Sequence, residues 1–427
     1  MKELFKKTIV KIIKFEAILV LKKYRPRIVA VTGSVGKTST KDAIFTVMSS
    51  GFFVRKSEKS FNSDIGVPLT ILGCNNAWSN PILWAKNIFE GLMLIVLKNH
   101  YPKWLILEVG ADRPGDIKDI AEWLKPDVVV VTALPNVPVH VEYFDSPDQV
   151  IEEKEYLIKA LKPDGVLVLN NDDKNVLGFK QKHEYPTITF GFDDGATFKA
   201  SRDTYSVQKK HISFRVDSGG SSVPITINGS FGRQHIYSSL AAFAVGSSQG
   251  LDMATMASSY ELHKIPIGRM SVIDGVEKSI IIDDTYNSSP AATKKALDVL
   301  KNISVSGRKF AVLGDMMELG TYSMEEHRKV GIQVAESADR LIAVGVRARN
   351  IAEGAEKNGM EKRNIFYFEN SFKAGEELAR MLDKGDVALV KGSQSMRMER
   401  VVKAVMMYPE KAGETLVRQD KEWLAKQ

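Results

Sequence analysis

A short glycine-containing turn stands between an apolar, β-branched run and a stretch compatible with a helix. The run covers residues 29–32, and the helical stretch covers residues 41–48. Backbone N–H groups in such a turn, together with the dipole of the following helix, favour a bound anion. The turn is therefore expected to hold the phosphates of a nucleotide through residues Gly33, Ser34, Val35, Gly36, Lys37, Thr38 and Ser39.

Individual residues of this turn have separate roles in phosphate chemistry. Lys37 would reach the β- and γ-phosphates, and the Thr38 hydroxyl would bind Mg²⁺. Gly33 and Gly36 allow the backbone to turn tightly and approach the phosphates. Val31 stands where the strict pattern G-x-x-x-x-G-K-[ST] has its first glycine, so the alternative is an ordinary turn between strand and helix.

Two further apolar runs lead into residues whose side chains could bind a metal ion or take part in catalysis. The run that starts at Trp104 ends at Glu108, and the run 128–131 continues through a loop to His140. Parallel strands place their carboxyl ends at the crevice where α/β sheets bind ligands. Glu108 is therefore a candidate Mg²⁺ ligand, and His140 is expected at the same crevice. The alternatives are a surface carboxylate and an unremarkable loop histidine.

Composition and charge limit the classes of function. The chain has 427 residues and a single cysteine, so it has no internal disulfide framework and suits a reducing compartment. The formal net charge is +7. Residues 1–27 hold nine Lys/Arg and two Glu, and nine minus two is seven, so the other 400 residues are formally neutral. A nucleic-acid-binding function, which needs a basic face on the folded body, is therefore disfavoured.

The elements that must position these residues alternate between strand and helix. Runs at 104–109, 127–132 and 165–170, with a helix at 149–161, predict a central phosphate-loop domain built on a mostly parallel, doubly wound sheet. Alternation within residues 186–231 predicts a small antiparallel sheet beside it. Residues 266–269 read as a linker to a Rossmann-like α/β domain. The predicted units are 1–27, 28–265 and 266–427.

Two predicted helices in the first half of the chain could pack on protein or contact a membrane. The leader, residues 1–27, carries Phe5, Ile9, Ile12, Leu19 and Val20 on one side, most lysines on the other, and Glu16 within the apolar side. It predicts either a helix packed on the first domain, the favoured interpretation, or one lying on an anionic membrane. Residues 81–97 predict a strongly apolar helix, capped by Asn80, in the core or at an interface, with membrane contact as the less favoured alternative.

Six motifs in order along the chain resemble those of the Mur ligase family. They lie at residues 32–38 (T-G-x-x-G-K-T), 62–68, 108–117, 283–290 (D-D-x-Y-N-x-x-P), 313–320 (L-G-D-M-x-E-L-G) and 391–399. The last two are most specific to the branch that adds D-alanyl-D-alanine to a UDP-N-acetylmuramoyl tripeptide. The resemblance covers residues 29–406. It implies a cytoplasmic, ATP-dependent amide ligase of peptidoglycan precursor synthesis that works through an acyl phosphate, on nucleotide and peptide substrates, as a monomer.

The resemblance also implies the cofactors and the catalytic residues. ATP and two Mg²⁺ ions are expected, with Thr38 and Glu108 on one ion and His140 on the second. Lys154 falls where the family carries a carbamylated lysine that serves as a metal ligand; the alternative is a solvated lysine in a Glu-Lys-Glu run. The implied catalytic set is Lys37, Glu108, His140 and Lys154.

Further residues carry over from the family motifs as ligand contacts. The resemblance places Arg269 and Asp283 on the phosphates and ribose, Tyr286 and Asn287 by the nucleoside, and His235 among the ATP contacts. The implied substrate residues are Asn62, Ser63, Asp315, Glu318, Lys391, Ser393 and Met398.

Three departures from the family pattern leave other functions open. Only 28 residues precede Val29, too few for the family's UDP-binding first domain. Residues 234–238 replace the usual H-N-x-x-N run, and Gln394 replaces the usual arginine. The alternatives are a Mur-type ligase with a lipid-linked or polymeric acceptor, and a nucleotide-binding scaffold that ligates nothing.

Overall fold

The computed structural model describes residues 2–58, 60–78 and 80–425, and the side chains of residues 2–6 lie outside the description. The prediction for Phe5 therefore falls outside the described residues. The described chain forms two sheets, each flanked by helices on both faces.

The first sheet runs in the order β2-β3-β1-β4-β5-β6-β7-β8-β9. Its strands are β1 (Arg27–Thr32), β2 (Val54–Lys56), β3 (Trp104–Glu108), β4 (Val128–Val131), β5 (Val166–Asn170), β6 (Thr187–Gly191), β7 (Phe198–Ser206), β8 (His211–Ser218) and β9 (Ser221–Asn228). Pairing is parallel from β2 to β7 and antiparallel from β7 to β9. The predicted antiparallel strands are therefore present, and they extend the parallel sheet rather than standing apart from it.

The second sheet runs in the order β10-β11-β15-β12-β13-β14. Its strands are β10 (Ser271–Asp274), β11 (Ile280–Asp284), β12 (Lys309–Gly314), β13 (Arg340–Val344), β14 (Ile365–Phe368) and β15 (Val387–Lys391). Only the β10–β11 pair among its described pairings is antiparallel. The predicted fold class, two α/β units on mostly parallel sheets, is confirmed.

Helices fill the crossovers between parallel strands. Those around the first sheet are α1 (Lys2–Tyr24), α2 (Lys37–Met48), α3 (Gly66–Leu72), α4 (Pro81–Val96), α5 (Asp116–Leu124), α6 (Pro147–Lys159), α7 (Lys174–Leu177), α8 (Phe179–Lys182), α9 (Gln234–Ser248) and α10 (Met253–Ser259). Those after them are α11 (Pro290–Asn302), α12 (Ser323–Ser337), α13 (Arg349–Lys357), α14 (Ser371–Met381), α15 (Glu399–Val405), α16 (Ala412–Thr415) and α17 (Lys421–Leu424).

The central strands of the first sheet are buried on both faces. On β1, Ile28 and Ala30 belong to the core layer under α1, α3, α5 and α6, while Val29 and Val31 belong to the layer under α2 and α9. Side chains alternate between the two faces of a strand, so a continuous apolar run is what a doubly wound sheet requires. These central strands end where the phosphate-loop residues begin.

The leader helix α1 is part of the first core layer. Ile13, Ala17 and Val20 are fully buried there, and Ile9 is nearly so. The packed interpretation therefore holds, and the apolar side of α1 is covered by protein rather than by lipid. Glu16 is buried in the same layer, and burial raises its pKa to about 7.

Candidate active site

The glycine turn between β1 and α2 is held against the end of β4. Gly33 has φ 135° and Gly36 has φ 89°, conformations that L side chains rarely adopt. A Cβ at Gly33 would lie 2.1 Å from Thr132 Oγ1, and the Ser34 N–H donates to the Ala133 carbonyl at 2.8 Å. The loop can therefore approach its neighbour this closely only with glycine at position 33.

Lys37 begins α2 and turns back over the loop. Its Nζ donates to the Gly33 carbonyl at 2.8 Å. Burial lowers the pKa of this lysine, the negative charge of Glu108 opposes that shift, and Arg269 adds to it. A bound phosphate would supply further negative charge for the Lys37 ammonium group.

Oxygen donors gather beside Lys37. Thr38 Oγ1 donates to Glu108 Oε2 at 2.9 Å and lies 2.8 Å from Ser60 Oγ. Asn62 Nδ2 donates to Glu108 Oε1 at 3.3 Å. Among the described residues no group of three or more His, Cys, Asp or Glu side chains is arranged to share a metal ion. This donor set nevertheless fits Mg²⁺, which binds proteins through one or two carboxylates and otherwise takes water and substrate phosphates.

His140 links the two sheets. It follows β4, has φ 67°, and places Nδ1 2.6 Å from Glu318 Oε2 on the loop after β12. Its Nε2 lies 3.5 Å from Asp112 Oδ1. The hydrogen bond with His140 lowers the pKa of Glu318. This contact holds the His140 loop against the second sheet.

Lys154 is buried on α6, directly after a carboxylate that caps another helix. Glu153 accepts from the Gly115 N–H at 2.9 Å and the Ile117 N–H at 2.7 Å at the start of α5. Burial, with the nearby charge of Lys37, lowers the pKa of Lys154 to about 7. An appreciable fraction of Lys154 is therefore the neutral amine near neutral pH.

The second sheet covers the phosphate loop with cations and polar groups. The Arg269 guanidinium carbon lies 3.9 Å from the centre of the Tyr286 ring, and Arg269 Nε is buried with no hydrogen-bond partner among the described residues. Lys391 Nζ lies 2.6 Å from Asp284 Oδ2 and donates to the Asn287 carbonyl at 2.9 Å. The unpartnered Arg269 donor and the phosphate loop line the same cleft.

One cleft brings together most of the predicted catalytic and nucleotide residues. The predicted residues that line it are Ser34, Val35, Gly36, Lys37, Thr38, Ser39, Asn62, Glu108, His140, Arg269, Tyr286, Asn287 and Lys391. Gly33 and Lys154 are not part of this lining, but both interact with Lys37. The Gly33 carbonyl accepts a hydrogen bond from Lys37, and the charge of Lys37 lowers the pKa of Lys154.

Two predicted nucleotide contacts point away from the cleft. His235 is buried, and its Nε2 lies 2.8 Å from the Arg269 carbonyl, so Gln234 lines the cleft in its place. Asp283 is fully buried and accepts from the Thr285 N–H at 3.1 Å and hydroxyl at 2.6 Å. Direct contact of His235 and Asp283 with the nucleotide stays a prediction, since both side chains are engaged within the protein here. Because neighbouring strand residues face opposite sides, Asp284 rather than Asp283 faces the cleft.

The predicted substrate residues do not form one cluster. Glu318 and Ser393 line a second cavity with His140, beside the first, and Ser63 lines a third, wider groove with Trp78 and Trp423.

Two members of the predicted substrate set serve the fold instead of a cavity. Met398 is fully buried, and its side chain is what a Cβ at Gly314 or Gly392 would meet. Asp315 accepts from the Ala348 N–H at 2.7 Å. Direct substrate contact by Met398 or Asp315 stays a prediction, and in this arrangement both side chains pack within the second unit.

Several residues that line the first two cavities escaped the sequence interpretation, among them Ser60, Asp112, Gln234 and Lys295. Ser60 and Asp112 lie in irregular loops, where residue type alone carries little signal. Gln234 is the first residue of the run 234–238 that replaces the usual H-N-x-x-N motif, and it begins α9.

Comparison with known proteins identifies the family. Residues 89–246 match the Mur ligase middle domain, and residues 268–394 match the Mur ligase glutamate ligase domain. The chain belongs to the Mur ligase family. The resemblance drawn from the six motifs is thereby confirmed.

Mur ligase relatives match along most of the chain. A protein of Bacillus subtilis (strain 168) named UDP-N-acetylmuramoyl-tripeptide--D-alanyl-D-alanine ligase is 28% identical over 384 residues, which is 90% of this chain and 76% of that protein. The protein of the same name from Escherichia coli (strain K12) is 26% identical over 390 residues, 89% of this chain and 76% of that protein.

Solved Mur ligase structures share the fold. MurF ligase from Thermotoga maritima, crystallised in complex with ADP, has a TM-score of 0.74 and 25% identity and covers 95% of this chain and 84% of that one. MurF from Acinetobacter baumannii has a TM-score of 0.76 at 22% identity and covers 92% of this chain and 80% of that one.

Proposed function

We propose that this Mur ligase joins D-alanyl-D-alanine to the carboxylate of a UDP-N-acetylmuramoyl tripeptide at the expense of ATP. The observation that carries the proposal is the meeting of Lys37, Glu108 and Arg269, from both sheets, on one cleft. The relatives named for this reaction, and the neighbour crystallised with ADP, support the choice of substrates.

ATP would bind with its triphosphate on the glycine turn. The N–H groups at the start of α2 and the Lys37 ammonium face the β- and γ-phosphates, and Arg269 approaches from the second sheet. Burial weakens the solvation of Lys37, so its attraction to phosphate is strengthened. Tyr286 and Asn287 border the same space.

The first chemical step would form an acyl phosphate. A carboxylate oxygen of the acceptor attacks the γ-phosphorus, the bond to the β-γ bridging oxygen breaks, and ADP leaves. Lys37 and Arg269 stabilise the charge on the transferred group as it passes between oxygens. The role of the protein is mainly positioning and charge stabilisation.

The second step would form the amide. The dipeptide amine attacks the acyl carbon, loses a proton, and inorganic phosphate leaves from the tetrahedral intermediate. The His140–Glu318 contact closes the second sheet over the first, which keeps water from the acyl phosphate. We propose that the units 28–265 and 266–427 move relative to each other during closure, with the linker at residues 266–269.

Mg²⁺ would be held by Thr38 and Glu108, with His140 and Lys154 serving a second ion. When bound, it supplies positive charge to the phosphates. Lys154 fits a carbamate because its pKa of about 7 leaves neutral amine to add to CO₂, forming an N–C bond and releasing a proton. The carbamate is an oxygen ligand, which suits Mg²⁺ better than an ammonium group.

The proposed reaction needs one chain only, because the described cleft is lined from both sheets of the same molecule. The ligase is therefore proposed to work as a monomer. Its use of ATP places the reaction in the cytoplasm.

The decisive experiment measures ADP release with each combination of substrates. ADP release that requires both UDP-N-acetylmuramoyl tripeptide and D-alanyl-D-alanine, and that Lys37→Ala abolishes, supports the proposal. Exposed Lys384→Ala is the matched control. No turnover with any D-amino dipeptide would contradict it.

A different acceptor is the second candidate function. Gln394, which stands where an arginine is usual, lines the two cavities next to the nucleotide cleft, so an acceptor loses one cationic partner there. In the same assay, activity with a lipid-linked acceptor but none with the UDP-linked one selects this function. Nucleotide binding with no stimulation by any acceptor selects the scaffold instead.

A further inference from the structure

Helix α4 exposes a regular apolar stripe to solvent. The α4 stripe consists of Ile82, Ala85, Phe89, Leu92 and Val96, spaced alternately by three and four residues, so its members share one face. Ile82 is 77% exposed, Phe89 60% and Val96 64%. On the opposite side α4 buries only Trp84, Asn87 and Gly91. The helix is thus anchored along one narrow line and presents its most apolar face outward.

Helix α1 lies beside α4 and shares its outer surface. A Cβ at Gly91 would lie 2.3 Å from Glu16 Oε2, so the Glu16 side chain of α1 packs directly against the α4 backbone there. Further along, Lys23 Nζ donates to the Leu94 carbonyl at 2.9 Å and the Ile95 carbonyl at 3.0 Å. On its solvent side α1 adds Phe15, which is 61% exposed.

Exposed cations lie on both helices that form this surface. The exposed cations of the two helices and their ends are Lys7, Lys11, Lys22, Lys23, Arg25, Lys86 and Lys98. Glu90 is exposed and lies 3.6 Å from Lys86, while Glu16 is buried. Residues 1–27 carry a formal +7 and the other 400 residues none, so the described lysines of α1, which packs against α4, belong to the part of the sequence that holds the cationic excess.

We propose that the α4 stripe and the lysines of α1 dock the protein on an anionic lipid bilayer. An amphipathic helix with an apolar face and flanking cations lies in the plane of the interface, with its apolar side among the acyl chains. Lysines at its rim gain from the negative surface potential. No helix in the described part of the chain is long and apolar enough to cross the bilayer.

Charge favours lipid over a second copy of this chain as the occupant. Pairing two α4 stripes would bring the lysines of both α1 helices together, and like charges repel. An anionic bilayer instead complements them. The proposal is independent of the ligase reaction, because the α4 stripe shares no residue with the active-site cleft.

Co-sedimentation with vesicles tests the proposal on the full chain. We expect binding to phosphatidylcholine vesicles that contain phosphatidylglycerol, and little binding to phosphatidylcholine alone. Phe89→Ser with Leu92→Ser should lower the partition coefficient about tenfold or more, since both side chains lose their acyl-chain burial. The control, Leu262→Ser with Val346→Ser, removes apolar groups that are even more exposed, away from the α4 stripe, and should bind as the parent does.

A charge series tests the second half of the proposal. Lys11→Glu with Lys22→Glu should lower the partition coefficient about tenfold or more, and Lys373→Glu with Lys384→Glu should have little effect. Circular dichroism and ATP binding check that each variant is folded. Equal binding to neutral vesicles, or binding that survives both stripe substitutions, would overturn the proposal. The proposal would also be overturned if the parent protein binds no vesicles and instead forms a dimer without lipid that the stripe substitutions dissociate.

Discussion

Gly33 combines a backbone conformation and a close approach that no other residue can satisfy. Its φ is 135°, and a Cβ would overlap Thr132 Oγ1. Gly33→Ala should therefore displace the phosphate loop, weaken ATP binding at least about tenfold and destabilise the fold by about 1–3 kcal/mol. Isothermal titration calorimetry and thermal unfolding measure the two effects.

A second glycine serves as the control for this substitution. Gly195 has φ 92°, and a Cβ added there would meet nothing within 4 Å, so Gly195→Ala carries conformational strain without a collision. It should lower stability slightly and leave ATP affinity unchanged. If Gly33→Ala binds ATP as the parent does, the loop does not hold the nucleotide.

Lys154 should take up CO₂ in a pH-dependent way. Burial lowers its pKa to about 7, so the neutral amine, and with it the carbamate, should increase as pH rises from 6 to 8. A ¹³C carbamate resonance with labelled bicarbonate measures this. The signal should vanish in Lys154→Ala and persist in Lys159→Ala, whose side chain is half-exposed on the same helix. A signal equally strong in both variants would assign the carbamate elsewhere.

The positions of residues at strand ends were predictable because the strands that carry them directly precede them in the sequence. Lys37, Thr38 and Glu108 follow apolar runs directly, so the parallel sheet brings them to one edge. The direction of a side chain was not predictable in the same way. Asp283 and Asp284 differ only in which face of β11 they occupy, and His235 turns toward a carbonyl that is 34 residues away. Such choices depend on tertiary contacts that a motif does not encode.

At the scale of single elements, α1 places an acid in an apolar layer. Glu16 has a folded-state pKa of about 7 against 4.5 for the free side chain, and Oε2 has no hydrogen-bond partner among the described residues. The native protein therefore holds a proton that the unfolded chain releases between these values. The unfolding free energy should fall as pH rises from 4.5 to 7 and then level off.

Glu16→Gln should remove that pH dependence. At pH 8 the variant should be more stable than the parent by about 1–3 kcal/mol, and at pH 4 the two should be nearly equal. Urea unfolding across this pH range is the measurement, and Glu90→Gln, on the exposed side of α4, is the control. A parent protein whose stability does not change between pH 5 and pH 8 would contradict the assignment.

Buried central elements were more predictable than edge elements. The apolar runs of β3, β4 and β12 are buried on both faces, and such runs are legible in sequence. The edge strands β10 and β14, whose residues are all half-buried, were missed. The covered side of α1 was the favoured interpretation. For α4 the sequence left the core, an interface and membrane contact open, because an apolar pattern predicts burial without indicating what covers the helix.

At the scale of the molecule, one arginine ties the carboxyl-terminal segment to the cleft. Arg418 donates through Nη1 to the Tyr286 carbonyl at 3.0 Å and also to the Thr285 carbonyl. It shares buried Glu399 with Arg397, whose Nε lies 2.6 Å from Glu399 Oε1. Since Tyr286 stacks on Arg269, this network supports the nucleotide side of the second sheet.

Arg418→Ala should lower stability and ATP affinity together. Glu399 keeps Arg397 as a partner, so the cost should be about 1–3 kcal/mol from the buried hydrogen-bond acceptors left unpaired, and the loosened Tyr286 loop should raise KM for ATP more than it lowers kcat. Thermal unfolding and steady-state ADP release measure the two effects. Arg363→Ala, whose side chain is 80% exposed beside Glu361, should change neither. A variant with lower stability but parental KM would show that the network supports only the fold.

The Arg418 contacts also bear on the stage of synthesis at which the nucleotide side of the cleft can be completed. A nascent chain whose last emerged residue is 400 holds every strand of both sheets but lacks the side chain that grips residues 285 and 286. Translation through residue 418 is thus required before Tyr286, which stacks on Arg269, is held in place on the nucleotide side of the cleft.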